Sequence, residues 1–229
     1  MKSTLIMAIG LALVFVGCQP KVQNLNVKQE HSEVTSEDCD IRIDRSVFSA
    51  ADETINKSCM VLNGKIEKLV NDLKDSLRAD ATELFQTFAD KPDERPDWKY
   101  ELMVDDSVFM ATDQFISVRL RVYSFTGGAH GMTTYYSFNY DVKNQKFLTN
   151  KEILNYAHAA QINTLLKANF KNQDGCFTME PTLDLAGAIN FNATSVYFLY
   201  GQYVLGAYAC GSAEVVVPRA ALKGDILIK

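Results

Sequence analysis

The sequence predicts an α+β fold: an antiparallel sheet with helices packed on one face. Three observations carry this expectation. Apolar residues recur at helical spacing from Ile55 to Leu77, and the period changes to two from Trp98 onward. A second helical stretch then follows Thr149, before alternation resumes near Ile189. Strands grouped in runs, rather than alternating one by one with helices, favour an antiparallel sheet with segregated helices.

The elements follow in order. Ile41-Arg42-Ile43-Asp44 alternates as a short strand, and Ser49 is placed to cap a helix. Ile55, Leu62, Ile66, Leu69, Val70, Leu73 and Leu77 line one face of that helix, with lysines and aspartates between them. Leu84, Phe85 and Phe88 extend the pattern, with room for a kink before them, and the two prolines of KPDERPD (Lys91 to Asp97) stop it. Trp98 to Val104, Val108 to Thr112 and Gln114 to Phe125 read as strands, with Asp105-Asp106-Ser107 as a turn.

In the third of these runs Ile116, Val118, Leu120 and Val122 share a core face. Phe115, Ser117, Arg119, Arg121, Tyr123 and Phe125 share the other, where arginines interleave with aromatics as on a wet binding surface. Met132 to Val142 makes another strand, closed by a turn at Asn144. Thr149 and Glu152 fit a capping box, opening helical sequence with Ile162, Leu165, Leu166 and Phe170 on one side. After a polar loop, Ile189 to Phe191 and Val196 to Tyr200 flank an Asn192-Ala193-Thr194 turn, and Glu214 to Pro218 closes the sheet.

The N-terminus reads as a leader rather than as part of the fold. Lys2 precedes the apolar run Leu5 to Val16, too short for a bilayer span of about 20 residues but right for a signal-peptide core. Phe15-Val16-Gly17-Cys18 resembles a bacterial lipobox, with Phe15 where Leu is usual. The expected division is a signal peptide at 1–17, a flexible tether at 18–38 anchored by lipid on Cys18, and a single domain at 39–229. The polar stretch from Gln19 to Asp38 lacks aromatics and sustained periodicity, and His31 within it is expected to be merely solvated. Such an anchor places the chain in a bacterial cell envelope, lipid-anchored and extracytoplasmic. Gln19 after the cysteine favours the outer membrane if the source is Gram-negative.

The net charge of −5, one more negative once Lys2 is removed, argues against nucleic acid as a partner and is compatible with a cationic one. Besides Cys18 the chain holds Cys39, Cys59, Cys176 and Cys210, an even number in an exported protein. Three connectivities satisfy two disulfides. Cys39–Cys59 with Cys176–Cys210 keeps each loop within one part of the chain, and free buried cysteines are the alternative.

No Cys-x-x-Cys, Gly-x-Ser-x-Gly, His-Glu-x-x-His or P-loop occurs, and the three histidines (His31, His130, His158) are too few for a histidine-rich metal site. No catalytic residue, metal or cofactor is assigned. Gly127, Gly128 and Gly131 around His130 are expected to supply the positive φ angles of a tight connection. Tyr135, Tyr136, Phe138, Tyr140, Tyr197, Tyr200, Tyr203 and Tyr208 form an aromatic set that suits half-buried sheet positions, saccharide stacking or a protein interface. Glu214 is placed to pair with Arg119 or Arg121.

Two stretches, Tyr123-Ser-Phe-Thr-Gly-Gly-Ala-His-Gly131 with Tyr136 to Asp141, and Tyr200-Gly-Gln-Tyr-Val-Leu-Gly-Ala-Tyr-Ala-Cys-Gly-Ser-Ala-Glu-Val-Val-Val-Pro218, together carry a family resemblance. From about Ile41 to Leu222 the chain resembles the extracytoplasmic domain shared by the RsiV anti-sigma factor, whose ectodomain binds lysozyme, and the PdaC peptidoglycan deacetylase. The resemblance implies an α+β fold and a cell-envelope role, with a lysozyme-like protein or peptidoglycan as partner. It carries no enzyme activity across, since the His-x-x-x-His motif of the deacetylase catalytic domain does not occur here.

The binding residues expected on these grounds are His130, Gly128, Gly131, Arg119, Arg121, Tyr123, Tyr136 and Glu214. The alternative is a cell-wall hydrolase or deacetylase that uses His130 with a carboxylate such as Asp141 or Glu214.

Overall fold

The computed structural model describes residues 22–228. The expected leader at 1–17 and the expected lipidation site Cys18 lie outside the described residues. Among the described residues no helix is long and apolar enough to cross a membrane. The architecture is α+β, as the sequence predicts, but with two sheets in place of one. A six-stranded sheet runs in the order β1-β2-β3-β4-β5-β6 and a three-stranded sheet in the order β7-β8-β9.

The large sheet begins where a tether was expected. β1 (Asn26–Thr35) pairs antiparallel with β2 (Cys39–Ser49) along its whole length, from Asn26 opposite Ser49 to Thr35 opposite Asp40. The alternation that marks a strand is missing because β1 is an edge strand exposed on both faces. Backbone bonds and cross-strand polar pairs hold it instead: His31 Nδ1 lies 2.6 Å from Asp44, Gln29 donates to Ser46 at 2.8 Å and Arg45 reaches Glu30 at 3.4 Å. His31 is therefore a sheet residue paired with Asp44, though still exposed to solvent as expected.

α1 (Glu53–Gln86) is one uninterrupted helix of 34 residues, so the kink allowed for before Leu84 is absent. Its cap is Asp52, whose side chain accepts from the Ile55 N–H, and not Ser49, which still belongs to β2. Leu62, Ile66, Val70, Leu77, Ala81 and Phe85 are buried at three-to-four-residue intervals or their multiples, the stripe that packs on the sheet. At about 1.5 Å per residue α1 spans about 50 Å and returns the chain past the far end of β2. β3 (Tyr100–Ala111) consequently enters parallel to β2, the one parallel pair of this sheet. Parallel neighbours need such a crossover.

β3 runs straight through Asp105-Asp106-Ser107, which is therefore not a turn. Both carboxylates find partners within the sheet. Asp106 accepts from the Ser46 N–H and hydroxyl at 2.5 and 2.9 Å, and Asp105 receives Arg121. A bulge between Val108 and Met110 absorbs the irregularity. β4 (Phe115–Phe125) and β5 (Met132–Asp141) form the central hairpin, and β6 (Lys146–Phe147) is a short edge. Ile116, Val118, Leu120 and Val122 are buried, the core face expected of β4.

The second layer holds α2 (Asn150–Ile153), α3 (Ala159–Asn169), β7 (Ala188–Phe191), β8 (Ser195–Tyr200) and β9 (Ala213–Pro218) around a separate apolar cluster. Thr149 and Glu152 form the expected capping box, though α2 ends after four residues. α3 buries Ile162 and Leu166, with Leu165 and Phe170 packed against the same cluster.

The two layers meet through a buried polar network. Ser117 donates to Asn139 at 2.7 Å, Asn139 to the Ile189 carbonyl at 2.8 Å, and Asn190 to Ser117 at 3.0 Å. Since Ser117 and Asn139 point away from α1, the small sheet covers that opposite face of the large one. It does so toward the start of β4, where Phe115 meets Phe191 and Phe109 meets Tyr197.

Cys176 and Cys210 form a disulfide, with Cα atoms 5.6 Å apart. The other expected bridge is absent: Cys39 and Cys59 are free and buried. Cys39 opens β2, whereas Cys59 lies on α1 one turn before Asn63, which bonds both backbone groups of Phe48 near the end of β2. Nine residue steps along the strand, about 30 Å at ~3.3 Å each, separate Cys39 from Phe48, against the 7 Å or so that a disulfide permits. Nearness in sequence misled because a strand and a helix carry the two cysteines in opposite directions.

Candidate functional site

The two stretches that carry the family resemblance are brought together along one seam. The β4–β5 connection holds Gly127 and Gly128 at φ +92° and +90°. A Cβ on Gly127 would lie 2.7 Å from the Trp98 ring, so both φ and space demand glycine there. Gly131 lacks the positive φ expected of it. Its requirement is close approach, since a Cβ would meet the Tyr123 ring at 2.4 Å.

His130 stacks on Tyr208 with ring centroids 3.7 Å apart and planes 16° from parallel. Its Nδ1 lies 3.2 Å from the Gly131 carbonyl, and the Tyr203 hydroxyl lies 3.4 Å from Nε2. Tyr208 donates to the same Gly131 carbonyl at 2.8 Å. The seam then continues along the sheet. The Thr133 N–H donates to Gln202 at 3.0 Å, the Tyr135 and Ser212 hydroxyls are 3.0 Å apart, and Arg119 donates to Glu214 at 2.6 Å.

Arg119 is the buried end of this line, its side chain only 11% exposed. Its guanidinium lies 4.8 Å from the Phe109 ring centre and 5.9 Å from that of Tyr135, and Nη1 has no protein partner. Arg121, on the same face, is taken by Asp105, whose carboxylate raises its basicity further. Burial, with the Glu101 carboxylate nearby, pushes the Tyr123 phenol up.

The expected binding residues thus divide. His130, Gly128, Gly131, Tyr123, Arg119 and Glu214 follow the seam, and Arg121 stands beside it in a salt bridge. Tyr136 does not join them. It points to the α1 face, packs against the large core, and lines a cleft of about 540 Å³ with Lys65, Lys68 and Asp72. Of the aromatic set, Tyr140, Tyr200 and Phe138 are buried core residues, whereas Tyr203 is 57% exposed. Gln202, Ser212 and Trp98 complete the seam and were not singled out from sequence. Polar or aromatic residues whose partners lie dozens of positions away leave no local pattern.

The geometry does not supply the His130–carboxylate pair of the hydrolase alternative. Asp141 closes β5 at the end opposite His130, about 30 Å along the strand, and is bonded to Asn144. Glu214 is held by Arg119. The remaining histidine, His158, contacts the buried Asp225 at 2.7 Å in the small layer.

Over part of its length the chain is similar to the PdaC family. Residues 29–133 match the family model described as Deacetylase PdaC, so the expected resemblance to PdaC is borne out over that part, which includes Tyr123 to Gly131 but not Tyr200 to Pro218; the match starts inside β1, in the stretch read as tether. A DUF3298 family member from Bacteroides fragilis superposes with a TM-score of 0.69 at 16% identity, over 90% of this chain and 95% of that one. A DUF3298 family protein from Pseudomonas aeruginosa gives 0.61 at 20% identity, over 88% and 94%. No curated protein sequence matches the chain. A metal of the kind used in deacetylation does not fit here, because no group of three or more His, Cys, Asp or Glu side chains converges among the described residues.

Proposed function

We propose that the chain is a non-enzymatic cell-envelope lipoprotein whose domain binds a partner at the edge formed by the Gly127–Gly131 loop and the Tyr203–Tyr208 segment. The observation that carries this reading is the convergence of two stretches about 70 residues apart onto one exposed aromatic edge. Tyr203 stands 57% exposed there with its backbone at φ +67°, a conformation that costs a non-glycine residue free energy and often marks a functional position. Tyrosine and histidine rings give a large, stiff contact area with polar tips, which suits a protein interface or stacking on sugar rings.

A lysozyme-like muramidase and peptidoglycan glycan are the two partners proposed. The acidic chain favours the first, being complementary to a cationic protein. The lipobox at Cys18 supports an extracytoplasmic, membrane-held location.

The test is capture of purified protein on immobilised lysozyme and on peptidoglycan sacculi. We expect Tyr203→Ala to weaken capture at least tenfold while leaving the unfolding midpoint unchanged. Recovery of wild-type protein by neither ligand removes both named partners, and undiminished capture of the variant moves the site elsewhere.

A further inference from the structure

Among the described residues, regular structure begins at Asn26, only eight positions after Cys18. Among the described residues the first tie to the fold is at Gln23, whose carbonyl accepts from the Asp113 N–H at 2.8 Å, and Asn24 then bridges to Thr112. Leu25 donates to the Ala111 carbonyl at 3.1 Å. Only five residue steps separate Cys18 from Gln23, a reach of at most about 18 Å at ~3.5 Å per residue. The 20-residue leash suggested by the sequence does not exist.

The attachment point also selects one end of the large sheet. Gln23 sits beside the β3–β4 turn, and the β5–β6 turn lies alongside, since the Val142 N–H donates to the Gln114 carbonyl at 2.9 Å. Exposed at this end are Lys143, Lys146 and, 49% exposed, Leu227, all lining one cleft of about 600 Å³. β4 then runs 11 residues, about 35 Å at ~3.3 Å each, before it reaches the glycine loop. The loop and Trp98 therefore lie at the far end of the sheet, about twice as far from Gln23 as the linker is long.

We propose that the end of the sheet bearing the β3–β4 and β5–β6 turns rests against the headgroup layer of the membrane that holds the Cys18 lipid, and that the His130 edge points away from the bilayer. This rests on the lipoprotein reading above. The occupant of that end is the lipid surface because the anchored chain is too short to bring any other part of an upright domain to it. Lys143 and Leu227 are residue types that tolerate a headgroup layer, the lysine stem and apolar tip going in and the ammonium staying among phosphates, whereas Lys146 is paired with Glu152.

Trp98, the only tryptophan, is a built-in reporter at the distal end. The full lipidated protein is reconstituted in phosphatidylcholine–phosphatidylglycerol vesicles carrying dansyl-labelled headgroups, and energy transfer from tryptophan is measured. Wild-type Trp98 is expected to transfer weakly, and the added tryptophan of Lys143→Trp severalfold more strongly. Ala51→Trp, in the turn entering α1, serves as a second membrane-end position if the first variant misfolds. Equal transfer from Trp98 and the added tryptophan means that the domain lies flat or inverted, and overturns the orientation. Absence of acyl chains by mass spectrometry, or undiminished flotation of Cys18→Ser with vesicles, overturns the anchor itself. The two failures are thereby distinguished.

Discussion

The two layers are stabilised by different means. The large layer is a long helix laid on long strands, with Leu62, Ile66, Ile116, Val118 and Leu120 fully buried and two free cysteines in its core. The small layer has three short strands and extended loops, and it holds the chain's disulfide. Regular structure that buries a continuous apolar stripe needs no covalent tie. The loop from Tyr200 to Ser212, which presents Tyr203 and Tyr208 to the other layer, has little regular structure, and Cys210 lies within it. The candidate site thus combines a rigid hairpin on one side with a stapled loop on the other.

This contrast can be broken most forcefully in the large core. Leu62→Ala is expected to cost about 3 kcal/mol or more, because a packed helix-on-sheet core cannot collapse onto the vacated volume. Chemical unfolding followed by circular dichroism measures it, and a loss under 1 kcal/mol would contradict the packing described. Next comes the staple. The Cys176→Ser/Cys210→Ser pair is expected to lose about 2–4 kcal/mol and to loosen the Tyr203 loop first, visible as faster amide exchange there than in β4. Reductant should lower wild-type stability to match, and two thiols should be alkylated only after unfolding.

The hairpin side is sharpened by comparing two glycines. Gly131→Ala is expected to cost about 1–3 kcal/mol and to weaken partner capture, because Tyr123 must move away from the added methyl. Gly128→Ala meets nothing within 4 Å, so only its φ of +90° resists. A smaller cost of about 1–2 kcal/mol is expected there. A reversed order would mean that backbone strain outweighs crowding.

The smallest effects concern pH. Lys146 and Thr149 hold the Glu152 carboxyl down to about 2. Its contribution is present above the ordinary carboxylate range and is lost as pH falls from about 4.5 toward 2. Burial pushes Asp106 up, so its ionised form is disfavoured in the fold. Asp106 therefore opposes stability above its folded value, and that opposition fades as pH falls through it toward the unfolded value. Glu152→Gln should flatten the acid loss of stability and Asp106→Asn should steepen it, both read from urea midpoints between pH 6 and 3.

Much of this was legible in the chain itself. The helical stripe of α1, the two-sided pattern of β4, the glycine turn, the capping box at Thr149 and the α+β class all arise from local periodicity and local backbone chemistry, which are properties of short windows. β1 was not legible, because a strand exposed on both faces has no apolar alternation and is identified only by its partner. Asp105 and Asp106 read as a turn because their partners, Arg121 and Ser46, are supplied by other strands. Likewise, two cysteines 20 positions apart cannot meet once a strand and an antiparallel helix separate them. Sequence alone determined which residues must turn, cap and pack. The tertiary structure decided which residues meet across distant segments: it joined His130 to Tyr203 and Tyr208, turned Tyr136 to the other face, and moved the attachment point to Gln23. Those choices depend on contacts between segments far apart in the chain, and no local pattern encodes them.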